Sequence, residues 1–294
     1  VPELSVVIVN RNGGERLEEC LASLDKARAG KEWEVLVVDN DSEDGSPEEA
    51  AGRFPQAMLV RNRENTGFAR ANNQGWRLSS GRFVLFLNPD TVVLPGAFDL
   101  LLDELGRDAG IGAIGPGLIC GRNAYQVSFG GEVNFWRELI QKSMLNAWWR
   151  RRLHGYKSKR SAAWVSGACL MTSREALDKT GGFDEKFFLY FEDIDLCYRI
   201  REQGLRVVFL PQARVFHAGG GATATAPYFC RLEYRKSQLY FYKKHNSRLS
   251  QGLLRIYLQL SAWLEGVFGS KGEEARAFRR DLLGLLRAKR AGQL

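Results

Sequence analysis

Over its first ninety residues the chain alternates apolar runs of strand length with amphipathic stretches of helical period. The apolar runs are "LSVVIVN" (4–10), "WEVLVVDN" (33–40), "AMLVRN" (57–62) and "RFVLFLNPD" (82–90), and residues 15–29, 46–54 and 68–80 lie between them. Near-continuous apolar strands separated by helices predict a mostly parallel sheet covered on both faces. Three of the strands end in amides or acids: Asn10, then Asp39 and Asn40, then Asn88 and Asp90. In open α/β sheets ligands bind at the carboxyl ends of the strands. A site is therefore expected along that edge.

Further on, "GIGAIG" (110–115) has the GxGxxG spacing, but it follows a helical stretch and leads into an apolar segment. A dinucleotide site needs the reverse context, strand then turn then helix, so this is read as a turn into a strand. No GxxxxGK[ST] occurs, which argues against a P-loop ATPase. From 117 to 161 the pattern weakens, through Trp136, Trp148 and Trp149 to "WWRRRLHGYKSKR". Order resumes with "WVSGACLMTS", "GGFDEKFF" and the strand-like "RVVFLP" and "RVFH". After Gly221 the chain turns helical and basic. Leu253, Tyr257, Leu260, Leu264 and Phe268 form one apolar stripe, and Phe278, Leu282, Leu285 and Leu286 another, both read as faces docking on the main domain.

The stretch "FFLYFEDIDLCYRIREQG" places three acids, Glu192, Asp193 and Asp195, where the chain enters an apolar region. A helix over 194–203, stopped by Gly204, separates them. Asp193 shares the apolar face with Leu196, Cys197 and Ile200, whereas Glu192, Asp195 and Arg199 share another. Asp195 and Arg199 form an i,i+4 ion pair, and Glu192 complements the helix N-terminus. Asp193, an acid at the head of a buried stripe, is the candidate for chemistry.

Composition narrows the class. The chain has 294 residues, 45% hydrophobic and 26% charged, as in a soluble globular protein. Five scattered cysteines with no CxxC argue against a disulfide framework or a zinc site and fit a reducing cytosol. The N-terminus lacks a basic region and reads as a strand, so no signal peptide is expected. No apolar run reaches membrane-spanning length. Residues 1–145 hold 15 Lys and Arg against 21 Asp and Glu, a net of −6; residues 146–294 hold 27 against 13, a net of +14. That asymmetry points to an anionic partner of the second half: nucleic acid, anionic lipid or a phosphorylated substrate.

The motifs "VVDNDSEDGS", "NTGFARANNQG", "LFLNPDT", "WVSGACLM", "GGFDEKFFLYFEDIDLCYRIREQG" and "VFHAGGG" follow one another in the order seen in inverting family 2 glycosyltransferases of GT-A fold. Over about residues 3–225 the chain resembles that family, above all bacterial dTDP-rhamnosyltransferases of O-antigen and cell-wall polysaccharide assembly. The resemblance implies an α/β nucleotide-diphospho-sugar transferase fold: a Rossmann-like, mostly parallel central sheet with helices on both faces, plus a helical C-terminal extension. It divides the chain into a catalytic domain at 1–225, with a nucleotide-binding half to about 115 and an acceptor half beyond it, and a basic amphipathic helical region at 226–294.

The resemblance also implies roles. Asp39 would accept the N3–H of a uracil or thymine ring, with Asn10 and Arg11 near the base and ribose. Arg70 and Asn73 would face the donor. Asp90 and His217 would hold a divalent cation, Mg²⁺ or Mn²⁺, against the diphosphate. Asn88 replaces the first acid of the family's usual Asp-x-Asp and would hydrogen-bond the donor or a metal-bound water. Asp193 would be the general base, with Glu192, Asp195, Trp164 and Gly167 in support or on the acceptor side. No QxxRW follows, which favours a single sugar addition. The implied donor is dTDP-rhamnose, with UDP-galactofuranose, UDP-GlcNAc and UDP-glucose as alternatives; a non-catalytic binding protein on the same scaffold is the other class. A saccharide on a polyprenyl diphosphate suits the basic, aromatic second half, without a nucleic-acid partner. The expected location is cytoplasmic, peripheral at the inner face of the cytoplasmic membrane. There "WWRRRLHGYKSKR" and "YRKSQLYFYKKH" would meet anionic lipid.

Overall fold

The computed structural model describes residues 1–28, 30–121, 124–142, 158–219, 226–268 and 272–288. The apolar runs form β1 (Leu4–Asn10), β2 (Trp33–Asp39), β3 (Ala57–Arg61) and β4 (Phe83–Leu87). Between them lie α1 (Glu15–Arg28), α2 (Ser46–Arg53) and α3 (Phe68–Leu78). Then follow β5 (Thr91–Val93), α4 (Ala97–Arg107), β6 (Ile111–Cys120), β7 (Ala124–Tyr125), β8 (Phe129–Gly130) and α5 (Phe135–Lys142). Next come β9 (Arg160–Ala162), β10 (Trp164–Val165), β11 (Cys169–Ser173), α6 (Arg174–Thr180), α7 (Glu192–Glu202) and β12 (Arg206–His217). The chain closes with α8 (Pro227–His245), α9 (Arg248–Phe268) and α10 (Glu273–Ala288).

The main sheet runs β3-β2-β1-β4-β11-β6-β12-β5, with β7 on β6 and β9 on β12. The first four strands are parallel; β11 is antiparallel to β4 and β6; β12 is parallel to β6 and antiparallel to β5. A separate pair joins β8 to β10. Side chains alternate across β1: Leu4, Val6 and Ile8 pack into one apolar layer with Leu17 and Leu101, and Val7 and Val9 into another with Trp76 and Leu196. Both faces of the central strands β1, β2 and β4 are thus buried, which is why they read as nearly unbroken apolar runs.

The two apolar segments "RVVFLP" and "RVFH" are one strand, β12, whose pairing to β6 shifts register between Leu210 and Arg214. "GIGAIG" enters β6 as expected, and its glycines serve packing. A Cβ at Gly112 would lie 2.4 Å from Ile200 Cγ2, and one at Gly115 2.7 Å from Val165 Cβ.

The chain divides into two compact units. One comprises Val1–Glu132, Ala147–Phe188 and Glu192–Gly221; the other comprises Val133–Asn146, Leu189–Phe191 and Ala222–Leu294. The second is helical: α5, α8, α9 and α10. On α10 the expected stripe is inward, with Phe278, Leu282 and Leu286 buried. On α9 the expected stripe is wrong by one position. Leu254, Leu258 and Ala262 are buried, while Leu260 and Leu264 are 56% and 47% exposed. This helix carries two apolar faces, and periodicity alone does not say which one meets its neighbours.

Helix α3 lies close on β1 because Gly75 faces Val7: a Cβ there would come within 2.3 Å of Val7 Cγ1. Gly75→Ala should cost about 1–3 kcal/mol through overpacking, against the small gain in helix propensity. Urea unfolding of the variant and the parent measures it; equal midpoints would contradict this packing.

Candidate active site

Parallel pairing sets Asn10 opposite Asp39 at the ends of β1 and β2. Both are buried. The Asn10 amide donates to Asp39 Oδ1 at 3.0 Å, to Ser42 Oγ at 3.2 Å and to Ser46 Oγ at 3.0 Å. Asp39 also accepts from the Ser42 hydroxyl at 2.5 Å and, through Oδ2, from the Ser42 N–H at 3.2 Å. Oδ2 therefore keeps a lone pair for a further donor. Asp44 braces the same loop, accepting from the Ser46 hydroxyl and from the Gly14 N–H. Burial raises its carboxyl pKa, but these hydrogen bonds outweigh that and hold it below the usual range. Ser42, Asp44 and Ser46 belong to "VVDNDSEDGS" and were within reach of the motif. Arg11 follows β1 and is exposed.

Of the two α3 residues expected to face the donor, Asn73 is engaged within the protein. Asn73 is buried and saturated. Its amide nitrogen donates to Phe183 O and Glu185 Oε1, and its oxygen accepts from Phe183 N–H and Trp76 Nε1–H. It fastens α3 to the 183–185 segment and keeps no hydrogen-bonding capacity for a sugar nucleotide. Arg70 is largely exposed and lies 3.8 Å from Glu185, which also pairs with Arg77 at 3.1 Å. The motif alone does not show which partner waits for either side chain.

A second group forms where β5 pairs with β12, which puts His217 opposite Thr91 and beside Asp90. His217 Nε2 lies 3.2 Å from Asp90 Oδ1 and 3.3 Å from Asn88 Nδ2, and Nδ1 lies 2.8 Å from Gln126 Oε1. Asp90 Oδ2 accepts from Gly219 N–H at 3.1 Å. Burial raises the Asp90 carboxyl pKa, but the hydrogen bond and charge of His217 pull it lower, below the usual range. With Nδ1–H donating to Gln126, Nε2 presents a lone pair to a carboxylate. Nε2 can accept from the Asn88 amide, and Nε2 and Asp90 Oδ1, 3.2 Å apart, can share a cation. Asn88 Oδ1 is buried and unpartnered among the described residues. Oxygen and imidazole donors of this kind fit a divalent cation. No three His, Cys, Asp or Glu side chains converge among the described residues. An ion here would therefore complete its shell from a diphosphate and water. Gln126 was missed because it lies in the weakly patterned segment and meets His217 only through the fold.

The third group is the acidic helix. It starts at Glu192, two residues earlier than its pattern predicts, so all three acids lie in its first turn. Asp193 Oδ2 accepts from Gly167 N–H at 2.8 Å, and Oδ1 from Ile194 N–H at 2.8 Å. A Cβ on Gly167 would sit 3.1 Å from Asp193 Cβ, so a glycine keeps this approach open. Asn88 N–H donates to Ala168 O at 3.0 Å, so residues 167 and 168 tie the Asp193 carboxylate to the Asn88–Asp90 corner. Trp164, half-buried, packs its indole against Gly130 in the β8–β10 pair. Burial raises the Asp193 pKa above the usual carboxylate range, against the pull of its backbone hydrogen bonds. Burial and the neighbouring Asp193 charge raise Glu192 further. Asp195 is fully buried and paired with Arg199 at 2.7 Å, whose other nitrogens donate to Thr180 O and Gly182 O at 2.7 Å. The expected i,i+4 pair is present, as an anchor under the helix rather than a surface pair. Glu192 is buried too, with Oε2 unpartnered among the described residues.

The mostly parallel α/β sheet, with Asn10, Asp39, Asn88 and Asp90 at its strand ends, is that of a GT-A glycosyltransferase. The profile of Glycosyl transferase family 2 matches residues 5–181, and that of the N-terminal domain of galactosyltransferase matches 150–219. The chain belongs to glycosyltransferase family 2. It is 31% identical to an N-acetylglucosaminyl-diphospho-decaprenol L-rhamnosyltransferase of Mycobacterium tuberculosis, over 95% of this chain and 96% of that one. It is 28% identical to the O-antigen biosynthesis protein RfbC of Myxococcus xanthus, over 74% of this chain and 17% of that one. In fold it is similar to GalNAc-T7 with UDP, GalNAc and Mn²⁺, at a TM-score of 0.61 and 18% identity, over 96% of this chain and 55% of that one. It is also similar to the mannosyltransferase PcManGT of Pyrobaculum calidifontis with GDP-Man and Mn²⁺, at 0.58 and 19%, over 99% and 87%.

Glu192→Gln tests the electrostatics. A buried carboxyl with a raised pKa binds its proton more tightly folded than unfolded. Its contribution is full at low pH and is lost as pH rises through the folded value. The amide removes that loss, so the variant should gain thermal stability over the parent at pH 8 and not at pH 4. Thermal melts at the two pH values check it, and equal gains would contradict a buried titrating acid.

Proposed function

We propose that this protein transfers one L-rhamnosyl group, with inversion, from dTDP-rhamnose to a saccharide carried on a polyprenyl diphosphate. The observation that carries the reading is the Asp193 carboxylate, held by two backbone N–H groups and tied through residues 167 and 168 to the Asn88–Asp90 corner. The rhamnosyl donor and lipid-linked acceptor are supported by the mycobacterial relative, whose name states both chemistries and which matches nearly end to end.

An inverting transfer is a single displacement. The acceptor oxygen bonds to the anomeric carbon as the bond to the diphosphate oxygen breaks, and the acceptor proton passes to Asp193. No enzyme nucleophile is required. The raised pKa of Asp193 makes it a better proton acceptor than an exposed aspartate, while the two N–H groups aim the carboxylate. Asp39, through the spare lone pair on Oδ2, selects a pyrimidine ring by accepting its N3–H. Asp90, His217 and Asn88 would hold Mg²⁺ or Mn²⁺, which stabilises the charge growing on the leaving diphosphate. The acceptor's lipid tail puts the working place at the inner face of the cytoplasmic membrane. Arg150, Arg151 and Arg152, expected to meet the lipid there, lie outside the described residues.

Two measurements test this. Asp193→Asn should lower turnover by about 10²–10⁴-fold while donor binding persists. In the parent, kcat/KM should fall on the acid side with an apparent pKa above that of an ordinary aspartate, because the raised group must be ionised to act. Near-parental transfer by the variant would remove the base assignment. Separately, thermal-shift titration should show dTDP-rhamnose with Mg²⁺ or Mn²⁺ raising Tm more than UDP-sugars do, and EDTA should abolish transfer. Full activity in chelator would sink the cation role, and a stronger response to a UDP-sugar would reassign the donor.

A further inference from the structure

Helix α9 spans 21 residues and carries two apolar faces. Leu254, Leu258 and Ala262 are buried. Leu249, Ile256, Leu260, Trp263 and Val267 are not, and Trp263 is 62% exposed. Their spacings of 7, 4, 3 and 4 residues put them on one side of the helix, in a stripe about 27 Å long. Within the same unit, α5 presents Trp136 and Ile140, at 61% and 50% exposure. Scattered exposed apolar residues need no explanation, but a continuous stripe of five large ones that includes a tryptophan does.

Charge decides what covers it. Residues 133–146, 189–191 and 222–294, the unit that holds α5 and α9, carry 16 Lys and Arg against 6 Asp and Glu, a net of +10. Arg137, Lys243, Lys244 and Arg248 are exposed on α5, at the end of α8 and at the start of α9. A second copy brought against this face would set +10 against +10. An anionic surface would be attracted. No helix among the described residues is long and apolar enough to cross a membrane. An apolar stripe on a helix that does not span, in a strongly basic setting with tryptophan, is the pattern of a helix lying in the bilayer interface.

We propose that the outer face of α9, extended by α5, is a membrane-docking surface that seats in an anionic phospholipid bilayer. Ile256, Leu260 and Trp263 enter the acyl boundary, and the basic side chains engage the headgroups. This deepens the functional reading without needing it, because docking is measured with no sugar nucleotide present.

Cosedimentation of the full chain with vesicles of phosphatidylglycerol and phosphatidylcholine, against phosphatidylcholine alone, tests the proposal. Binding should require the anionic lipid and weaken with salt. It should fall about tenfold or more in Ile256→Glu/Leu260→Glu, with melting temperature and transfer to a soluble acceptor retained. A second measurement does not depend on that variant folding. Lipids brominated along the acyl chain should quench tryptophan emission in the parent and quench it less in Trp263→Phe. Equal quenching in the two proteins would overturn the assignment, as would unchanged vesicle binding by the double variant. A parent dimer that the double variant makes monomeric, with no vesicle binding by either, would give the face to a second copy instead.

Discussion

The site depends on the register of buried parallel strands. β1, β2 and β4 are covered on both faces, so their middles are apolar and polar side chains collect toward the ends, Ser5 and Glu34 at the start and Asn10 and Asp39 at the finish. In-register pairing of β1 with β2 then sets Asn10 against Asp39. β11 runs antiparallel, so its beginning lies at the same edge and brings Gly167 and Ala168 beside the end of β4. A one-residue slip in any of these pairs would invert the side-chain alternation and scatter the polar ends.

On this edge the acids are divided by environment. Asp195 is neutralised by Arg199, and its charge stabilises the underside of α7. Asp39 is engaged by an amide and a serine. Asp193 receives only backbone N–H groups, and Glu192 leaves one oxygen without a partner among the described residues. The least compensated pair therefore has the raised pKa values. The chain enters α7 through two successive left-handed residues, Tyr190 and Phe191, at φ of 70° and 68°. Such backbone costs about 1–3 kcal/mol per residue and clusters at functional sites. Here it sets the direction in which α7 begins.

Much of this was legible in the residues themselves. The first four strands and the helices between them follow from runs of apolar side chains, and in β1, β2 and β4 burial on both faces leaves that signature locally. The Asp195–Arg199 pair follows from helical spacing, and the rejection of a dinucleotide loop at 110–115 follows from the order of its flanking elements. Ordered motifs were enough to place the chain in its family.

Tertiary structure decided the rest. Gln126 reaches His217 across 91 residues, and no local pattern marks it. Asn73 looks like a ligand contact in its motif, yet the 183–185 segment takes it, which only long-range packing determines. On α9 two apolar faces compete, and the neighbouring helices cover one and leave the other. Periodicity is a property of one segment, so the sequence by itself determined which elements form and which residues share a side. Which side finds a partner is a property of pairs of segments, and that was settled only when the chain folded.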